Sequence, residues 1–283
     1  MTGPPVRRAA VLGAPISHSL SPVLHRAAYS ALGLTGWDYT AHEVTERELP
    51  GFLQGLGADW AGLSLTMPLK AAVLPLLDAA SPVVEVVGAA NTVLLRDGRR
   101  VGDNTDVPGM VAALAGGAVT SAEVPYAAVL GGGATARSAL AALAAVTADV
   151  RAYVRTPARA TELTATAEAV GLRLTVRRWA GAAEALSAPL VVNTTPAGAG
   201  DALVAQAPTA VGTLFEVLYE PWPTPLAAAW TARGGPVVDG LELLVQQAVL
   251  QVGLMTGADV EGAGTAGLTA VMRSAGEREL RTT

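Results

Sequence analysis

The chain has 283 residues, of which 51% are hydrophobic, and a formal net charge of −5 at pH 7. This length allows one large or two ordinary domains, and the negative charge argues against nucleic acid as a main partner. The chain contains no cysteine, which excludes disulfides, thiolate metal sites and cysteine nucleophiles. It shows no signal-peptide core and no apolar stretch of the ~20 residues that a membrane span needs, so we expect a cytoplasmic protein without membrane contact.

Strand-like and helix-like segments alternate through residues 1–105, which is typical of an α/β protein. Ser21 is a suitable N-cap for a helix that has Pro22 in its first turn. The pair Asp97-Gly98 predicts the turn of a hairpin. The expected elements are strand 8–12, a helix from Ser21 to Gly33, strand 37–44, helix 46–56, strand 60–65, a helix after Thr66 to Leu77, and hairpin strands 92–96 and 100–102.

A linking helix is predicted over 107–114, and a second α/β unit begins after Gly116-Gly117. Thr156 is the expected cap of one helix in this unit, with Pro157 at the first helical position. Residues after Glu277 are polar, and we expect them to be frayed. The expected elements are strand 126–130, helix 135–146, strand 150–154, helix 157–170, strands 172–176, 190–193, 213–217 and 237–238, and helix 241–256.

A glycine-rich loop joins strand 126–130 to the helix that follows it, and it matches the G-x-G-x-x-A dinucleotide fingerprint. In that fingerprint the first glycine permits a tight turn, the second lets a pyrophosphate approach the backbone, and the alanine keeps helix and strand close. The free N–H groups of the helix N-terminus would face the phosphates. A purely structural turn is the alternative, but the position between a strand and a helix favours nucleotide binding. The loop consists of Gly131, Gly132, Gly133, Ala134, Thr135 and Ala136.

The end of the next strand indicates which dinucleotide binds. An acidic residue there would hold the 2′-hydroxyl of NAD, but this chain has Arg155 and Thr156, followed by Arg159. Arginine suits a 2′-phosphate, so the pattern favours NADP. The alternative is that Arg155 and Arg159 are solvated charges at the start of a helix.

Lysine and asparagine are rare in this chain, and their positions are informative. Lys70 is the only lysine among 19 Lys and Arg residues. A partly buried lysine can release its proton whereas arginine cannot, so Lys70 is a candidate for proton transfer, although codon usage alone could leave one lysine. The three asparagines, Asn91, Asn104 and Asn193, each precede threonine, which suggests placed hydrogen-bonding groups rather than ordinary turns.

Polar groups within residues 1–105 suit a small polyhydroxylated acid better than an apolar ligand. Nine strings resemble the shikimate dehydrogenase family, in the family's order and over nearly the whole chain. They are G-x-P-I-x-H-S-x-S-P at 13–22, T-x-P-x-K at 66–70, A-N-T at 90–92, G-x-N-T-D at 102–106, the glycine loop at 131–136, R-T at 155–156, N-T-T-P at 193–196, Y-x-P-x-x-T-P-L at 219–226 and D-G-x-x-x-L-V-x-Q-A at 239–248.

The resemblance implies the reduction of 3-dehydroshikimate to shikimate with NADPH, on the route to aromatic amino acids. It implies that Lys70 is the acid/base group and that Asp106 is its partner, although Asp106 could also cap the helix that follows it. The apolar neighbours Leu65, Met67 and Leu69 would reduce the solvation of Lys70. The remaining substrate residues that the resemblance implies are Ser19 and Ser21 for the carboxylate, Thr66, Asn91, Asp106 and Gln247 for the ring hydroxyls, and Tyr219 near the substrate.

The resemblance also assigns cofactor contacts beyond the fingerprint. Besides Gly131 to Ala136, the cofactor residues would be Arg155, Thr156, Arg159, Asn193, Thr194 and Gly240. We expect no metal, because His25 and His42 lack the spacing of metal ligands. The chain departs from the common family pattern at three positions, which are Arg26, Ser64 and Val154, each of which often holds asparagine.

The expected fold is therefore α/β, with an N-terminal α/β substrate domain, a Rossmann-type dinucleotide-binding domain and a cleft between them. The substrate domain would cover residues 1–105 completed by 240–283, and the NADP domain residues 106–239. We expect a monomer or homodimer that acts on a small molecule. Two alternatives stay open, which are a quinate/shikimate dehydrogenase with relaxed substrate or NAD use, and a catalytically silent NADP-binding sensor.

Overall fold

The computed structural model describes residues 6–117, 119, 124–260 and 263–282, with the side chains of Arg159, Ala263 and Gly264 left out. The chain divides into two compact units, one formed by Met1–Thr105 with Leu244–Thr283 and one formed by Asp106–Leu243. Among the described residues, no helix combines the length and the apolar character that crossing a membrane requires.

The first unit contains a six-stranded mixed sheet with the order β2-β1-β3-β5-β6-β4. Strand β1 is parallel to β2 and β3, and β5 is antiparallel to β3 and β6. Every residue of β3 is buried, as expected of a central strand covered on both faces. The strands are β1 (Arg7–Gly13), β2 (Trp37–Glu43), β3 (Trp60–Leu65), β4 (Ala79–Ala80), β5 (Thr92–Arg96) and β6 (Arg99–Asp103).

The predicted hairpin is confirmed, with φ values of 51° at Asp97 and 73° at Gly98, as a tight two-residue turn requires. The prediction that Ser21 is an N-cap is wrong, since Ser21 is the first helical residue and Leu20 occupies the cap position. The helices of this unit are α1 (Ser21–Ala31), α2 (Leu49–Gln54), α3 (Leu69–Ala72), a 3-10 turn at Leu74–Leu76, α4 (Pro82–Val87), the greater part of α9 (Gly240–Thr256), and α10 (Ala263–Leu280).

The first unit differs from the predicted helices after α3 and near the C-terminal end of the chain, among other places. The helix expected to run to Leu77 ends at Ala72 and gives way to the 3-10 turn. The frayed end expected after Glu277 is wrong, because α10 continues to Leu280.

The second unit contains a six-stranded sheet in which every neighbouring pair of strands is parallel. Its order is β12-β11-β10-β7-β8-β9, which is the strand order of a Rossmann fold read from one edge. The predicted α/β class and Rossmann-type unit are thus confirmed. The strands are β7 (Ala127–Leu130), β8 (Asp149–Val154), β9 (Arg173–Arg178), β10 (Leu190–Asn193), β11 (Thr213–Glu216) and β12 (Val237–Val238).

Both faces of this sheet are covered. Along β7, Ala127 and Val129 pack in one hydrophobic cluster, whereas Ala128 and Leu130 pack in another, as a doubly covered parallel strand requires. Thr156 occupies the predicted cap position with Pro157 next to it, but it precedes a 3-10 turn and its side chain makes no cap hydrogen bond. The predicted helix 157–170 is therefore replaced by this turn and by a shorter helix that begins at Thr161. The helices are α5 (Asp106–Gly116), α6 (Ala134–Leu143), α7 (Thr161–Ala169) and α8 (Pro225–Ala232), with 3-10 segments at Pro157–Arg159, Trp179–Ser187 and Asp201–Gln206.

Candidate active site

Backbone hydrogen bonds in the first unit hold three predicted site residues together. The Leu65 N–H donates to the Asn91 carbonyl at 2.7 Å, so Thr66 lies beside the start of β5. The Ala90 N–H donates to the Lys70 carbonyl at 2.8 Å, which ties α3 to the residue just before Asn91. The sequence thus separates Thr66, Lys70 and Asn91, but the sheet brings their backbones to one end of β3.

The Asn91 side chain is buried and bonded on both sides of its amide. Its Nδ2 donates to Thr105 Oγ1 at 2.9 Å and to Gln247 Oε1 at 3.3 Å. Its Oδ1 accepts the Thr105 N–H at 2.8 Å. Thr105 is followed directly by Asp106, the first residue of α5. The structure therefore unites the predicted residues Asn91 and Gln247, and it anchors the residue that precedes Asp106.

The serine loop, which we define as residues 13–22, reaches the same end of the sheet because Gly13 has no side chain. A Cβ at Gly13 would collide with the Thr66 side chain and lie 3.0 Å from the Met67 carbonyl oxygen. Within the loop, the Ser21 N–H donates to Ser19 Oγ at 3.4 Å. Ser21 is buried and Ser19 is half-buried.

The immediate surroundings of Lys70 differ in part from the prediction. Leu65 and Leu69 pack in the hydrophobic core of the unit, but the Met67 side chain is 63% exposed. Lys70 itself is half-buried. Of the three apolar neighbours expected around the lysine, Met67 therefore faces solvent.

His25 lies in the core of the same unit, without a role that the sequence had predicted. Its ring stacks on Tyr39 with centroids 3.8 Å apart. Its ring nitrogens make no hydrogen bond of ordinary geometry among the described residues. Burial lowers the pKa of His25 from its usual 6.5 to about 3, because a low-dielectric surrounding disfavours the charged form, although a polar contact with Gln251 opposes this fall. The ring is therefore neutral at neutral pH.

In the second unit, the glycine loop makes the tight turn that the fingerprint predicts. Gly131 has φ of 115°, its N–H donates to the Tyr153 carbonyl at 3.0 Å, and a Cβ there would collide with Thr194. The Thr194 hydroxyl and N–H both bond the Leu130 carbonyl, at 2.8 and 2.9 Å. Only glycine suits the first position of this loop.

The other loop residues leave the start of α6 open. A Cβ at Gly133, the N-cap of α6, would have no atom within 4 Å, whereas Ala136 is fully buried. At the end of β8, Arg155 and Thr156 are exposed. Arg159 belongs to the 3-10 turn Pro157–Arg159, and its predicted side-chain role lies outside the described residues.

The Asn193 side chain is hydrogen-bonded to residues of the second unit. Its Nδ2 donates to Glu216 Oε2 at 2.9 Å, and its Oδ1 accepts the hydroxyl and the N–H of Thr195 at 2.7 and 3.2 Å. Glu216 also accepts the Thr224 hydroxyl at 3.1 Å. Burial raises the pKa of Glu216, and the hydrogen bond from Asn193 opposes that rise.

Two predicted residues lie further along the chain of the second unit. Gly240 is buried, and a Cβ there would collide with the backbone of Val217 and Leu218, so close backbone packing alone requires a glycine. Tyr219 is half-buried. In the described part of the chain, no three His, Asp or Glu side chains cluster as metal ligands would.

Comparison with known proteins agrees with this geometry. The sequence model of the shikimate dehydrogenase substrate binding domain matches residues 11–93. A shikimate dehydrogenase (NADP(+)) of Thermus thermophilus is 38% identical over 254 residues, which cover 88% of this chain and 92% of that protein. This chain belongs to the shikimate dehydrogenase family.

Solved structures of family members share both units. The Mycobacterium tuberculosis shikimate dehydrogenase has a TM-score of 0.84 and 36% identity, covering 96% of this chain and 99% of that one. The Thermus thermophilus enzyme in complex with NADP(H) and shikimate has a TM-score of 0.82 and 35% identity, with coverage of 96% and 99%. The family that the nine strings suggested is thus confirmed.

The family strings did not point to Gln251, which lies one helical turn after Gln247 on α9 and bonds the backbone of Asn91. The spacing of four residues on one helix was the signal that could have found it. No local signal pointed to the bond between Tyr39 and Ser64, which continues this chain of hydrogen bonds, because the two residues lie 25 positions apart in different strands.

Proposed function

We propose that this member of the shikimate dehydrogenase family catalyses the reversible, NADP-dependent reduction of 3-dehydroshikimate to shikimate, in the synthesis of aromatic amino acids. The observation that carries the proposal is a pair of hydrogen bonds. The Ala90 N–H donates to the Lys70 carbonyl, and the next residue, Asn91, bonds the side chain of Gln247. One proton-exchanging group thus shares a strand end with neutral groups that suit ring hydroxyls.

The first unit is the proposed substrate domain. Ser19 and Ser21 would hold the carboxylate with their hydroxyls, and Thr66, Asn91 and Gln247 would bind the ring hydroxyls. The buried bonds of Asn91 support this role, because a fixed amide loses little entropy when it binds a ligand. Tyr219 would also lie near the substrate.

The proposed proton step uses Lys70. When NADPH is bound, it supplies the hydride that reduces the carbonyl carbon. The ammonium group of Lys70 gives a proton to the carbonyl oxygen, and in the reverse direction the neutral amine takes the proton from the hydroxyl. Asp106 would orient this amine and bind a hydroxyl of the substrate. Arginine at position 70 could bind the oxygen but has no proton to exchange.

The second unit is the proposed NADP domain, and its residues fit a dinucleotide. The loop Gly131–Gly133 would receive the pyrophosphate, since a Cβ at Gly133 would fill space in front of α6 and free N–H groups begin that helix. Arg155 and Arg159 would bind the 2′-phosphate, because arginine matches phosphate geometry. Gly132, Ala134, Thr135, Ala136, Thr156, Asn193, Thr194 and Gly240 complete the proposed cofactor contacts.

Steady-state assays with shikimate and quinate, each with NADP and NAD, test this function. We expect the highest kcat/KM for shikimate with NADP. Quinate turnover with NAD at comparable efficiency would instead identify a relaxed quinate/shikimate dehydrogenase. NADP binding without any turnover would identify a silent sensor.

We also propose that the enzyme works in the cytoplasm as a monomer or homodimer, in keeping with a sequence that contains no cysteine. Light scattering after size-exclusion chromatography gives the number of subunits.

A further inference from the structure

A continuous chain of buried hydrogen bonds ends at Asn91. The Tyr39 hydroxyl donates to Ser64 Oγ at 2.6 Å, and Ser64 Oγ donates to Gln251 Oε1 at 2.7 Å. Gln251 Nε2 donates to the Asn91 carbonyl at 3.2 Å and to Thr92 Oγ1 at 2.9 Å. The Thr92 hydroxyl then donates to Asn91 Oδ1 at 2.9 Å. Gln251 therefore reaches both the backbone and, through Thr92, the side chain of Asn91.

The direction of this chain is fixed by chemistry. The Asn91 carbonyl can only accept, so the Gln251 amide nitrogen faces it and the Gln251 oxygen faces Ser64. Ser64 donates its single hydroxyl proton to Gln251. Ser64 can therefore only accept from Tyr39, and Tyr39 is the donor of that bond. Each member is at most 4% exposed, and an unsatisfied buried group costs about 1–3 kcal/mol. One arrangement of donors is therefore strongly preferred.

The far end of the chain lies against the helix that carries Ser21. Tyr39 stacks on His25 of α1, with ring centroids 3.8 Å apart, and α1 begins at Ser21. The hydrogen-bond chain thus connects the helix behind the serine loop with Asn91. Ser64 and Gln251 are 187 residues apart in sequence, so one bond joins β3 to α9.

We propose that Gln251 is a positioning residue for the substrate, which acts by fixing Asn91 and Thr92 at the start of β5. The proposal rests on the role of Asn91 in the proposed function. Gln251 works through Asn91 and belongs to no string that suggested the family. Its loss leaves the Ser64 hydroxyl and the Thr92 hydroxyl without their amide partner. Asn91 then loses the bond to its carbonyl and the fixed orientation of the Thr92 hydroxyl, and it depends on Thr105 and Gln247 for its orientation.

The first unit offers a matched pair of tyrosines as a control. Tyr29 and Tyr39 are both buried and both contact the His25 ring. The Tyr39 hydroxyl belongs to the chain, whereas the Tyr29 hydroxyl has no hydrogen-bond partner among the described residues. Tyr39→Phe and Tyr29→Phe each remove one buried hydroxyl, but Tyr39→Phe alone shortens the chain that ends at Asn91.

Kinetics of Gln251→Met, Tyr39→Phe and Tyr29→Phe test the proposal, with the melting temperature of each variant measured in parallel. Methionine keeps the length of glutamine without its hydrogen bonds. We expect Gln251→Met to raise the KM for shikimate about tenfold, as the loss of one aligned hydrogen bond would, with the KM for NADP within about twofold. Tyr39→Phe should raise the KM for shikimate less, and Tyr29→Phe should leave it unchanged.

Three results would overturn the positioning role. One is a lowered melting temperature of Gln251→Met with an unchanged KM for shikimate, which is the signature of a structural residue. Another is an equal rise of the KM for both ligands. The third is equal behaviour of the two tyrosine variants, which decides the matter even if Gln251→Met fails to fold. Wild-type turnover of shikimate, measured alongside, tests the proposed function separately.

Discussion

Each unit buries an asparagine beside a strand terminus, Asn91 before β5 and Asn193 at the end of β10, but the two side chains have chemically different partners. Asn91 is bonded to neutral partners, namely Thr105 and the amide of Gln247. Asn193 is bonded to a buried carboxylate, Glu216, and to Thr195. A neutral network can meet a polyhydroxylated substrate without the cost of an unpaired charge. The side chain of Asn193 is bonded to Glu216 and Thr195, and the next residue, Thr194, bonds the Leu130 carbonyl directly before the glycine loop.

The largest effect expected from this division concerns Lys70 in the first unit. Lys70→Met should lower kcat by about 10²–10⁴-fold, as the loss of a general acid/base does. Lys70→Arg should not restore it, because arginine keeps its proton. NADP affinity, measured by calorimetry, should stay within about twofold, since the proposed cofactor residues lie in the second unit. Turnover near the wild-type level in either variant would refute the acid/base role.

The next effect concerns stability in acid and the buried His25 of the first unit. Its pKa of about 3 in the folded protein lies below that of the unfolded chain. The contribution of the neutral His25 ring to the free energy of unfolding is therefore complete above pH 6.5, and it is lost as the pH falls toward 3. The free energy of unfolding should fall by at most about 1.4 kcal/mol per pH unit over that range on account of this group.

Urea unfolding of His25→Phe between pH 7 and pH 5 isolates this contribution. Phenylalanine keeps a flat ring against Tyr39 but cannot be protonated, so the variant should lose stability less steeply on acidification. An identical pH slope in the variant and the wild type would show that the buried ring is not the cause.

Glu216 in the second unit should show a smaller effect with the opposite sign. Its pKa is raised in the folded protein, so its stabilising contribution is present at low pH and declines as the pH rises through the folded pKa. Glu216→Gln should therefore gain in melting temperature relative to the wild type between pH 5 and pH 8. A constant difference across that range would contradict this sign.

The local sequence predicted the strands well but not the partners across the sheet. Strand β10 was predicted at its observed limits, because its apolar run is bounded by Pro189 and by a polar Asn-Thr pair. Helix α4 was missed, since four of its six residues are valine, which favours strands. Ser81 before this helix, Pro82 at its first position and Gly88 after it, with φ of 60°, nevertheless mark its two ends.

In the candidate site, too, the sequence predicted individual residues but not the contacts between distant ones. Ordered strings identified Lys70, Asn91 and Gln247 through the family resemblance. The contact of Gln251 with Ser64 joins residues 187 positions apart, and no local periodicity encodes such a pair. The sequence also could not show that Asn193 is bonded to Glu216, because two polar residues at the ends of neighbouring parallel strands face each other only once the register of the sheet is set.

Calorimetry tests most directly whether the first unit binds the substrate and the second unit the cofactor. The affinities for shikimate alone and for NADP alone are measured with Asn91→Ala and with Asn193→Ala. We predict that Asn91→Ala weakens shikimate binding about tenfold and leaves NADP binding unchanged. Asn193→Ala should weaken NADP binding and lower the melting temperature, with shikimate binding unchanged. If both variants lost both ligands to the same extent, the assignment of substrate to the first unit and cofactor to the second would be wrong.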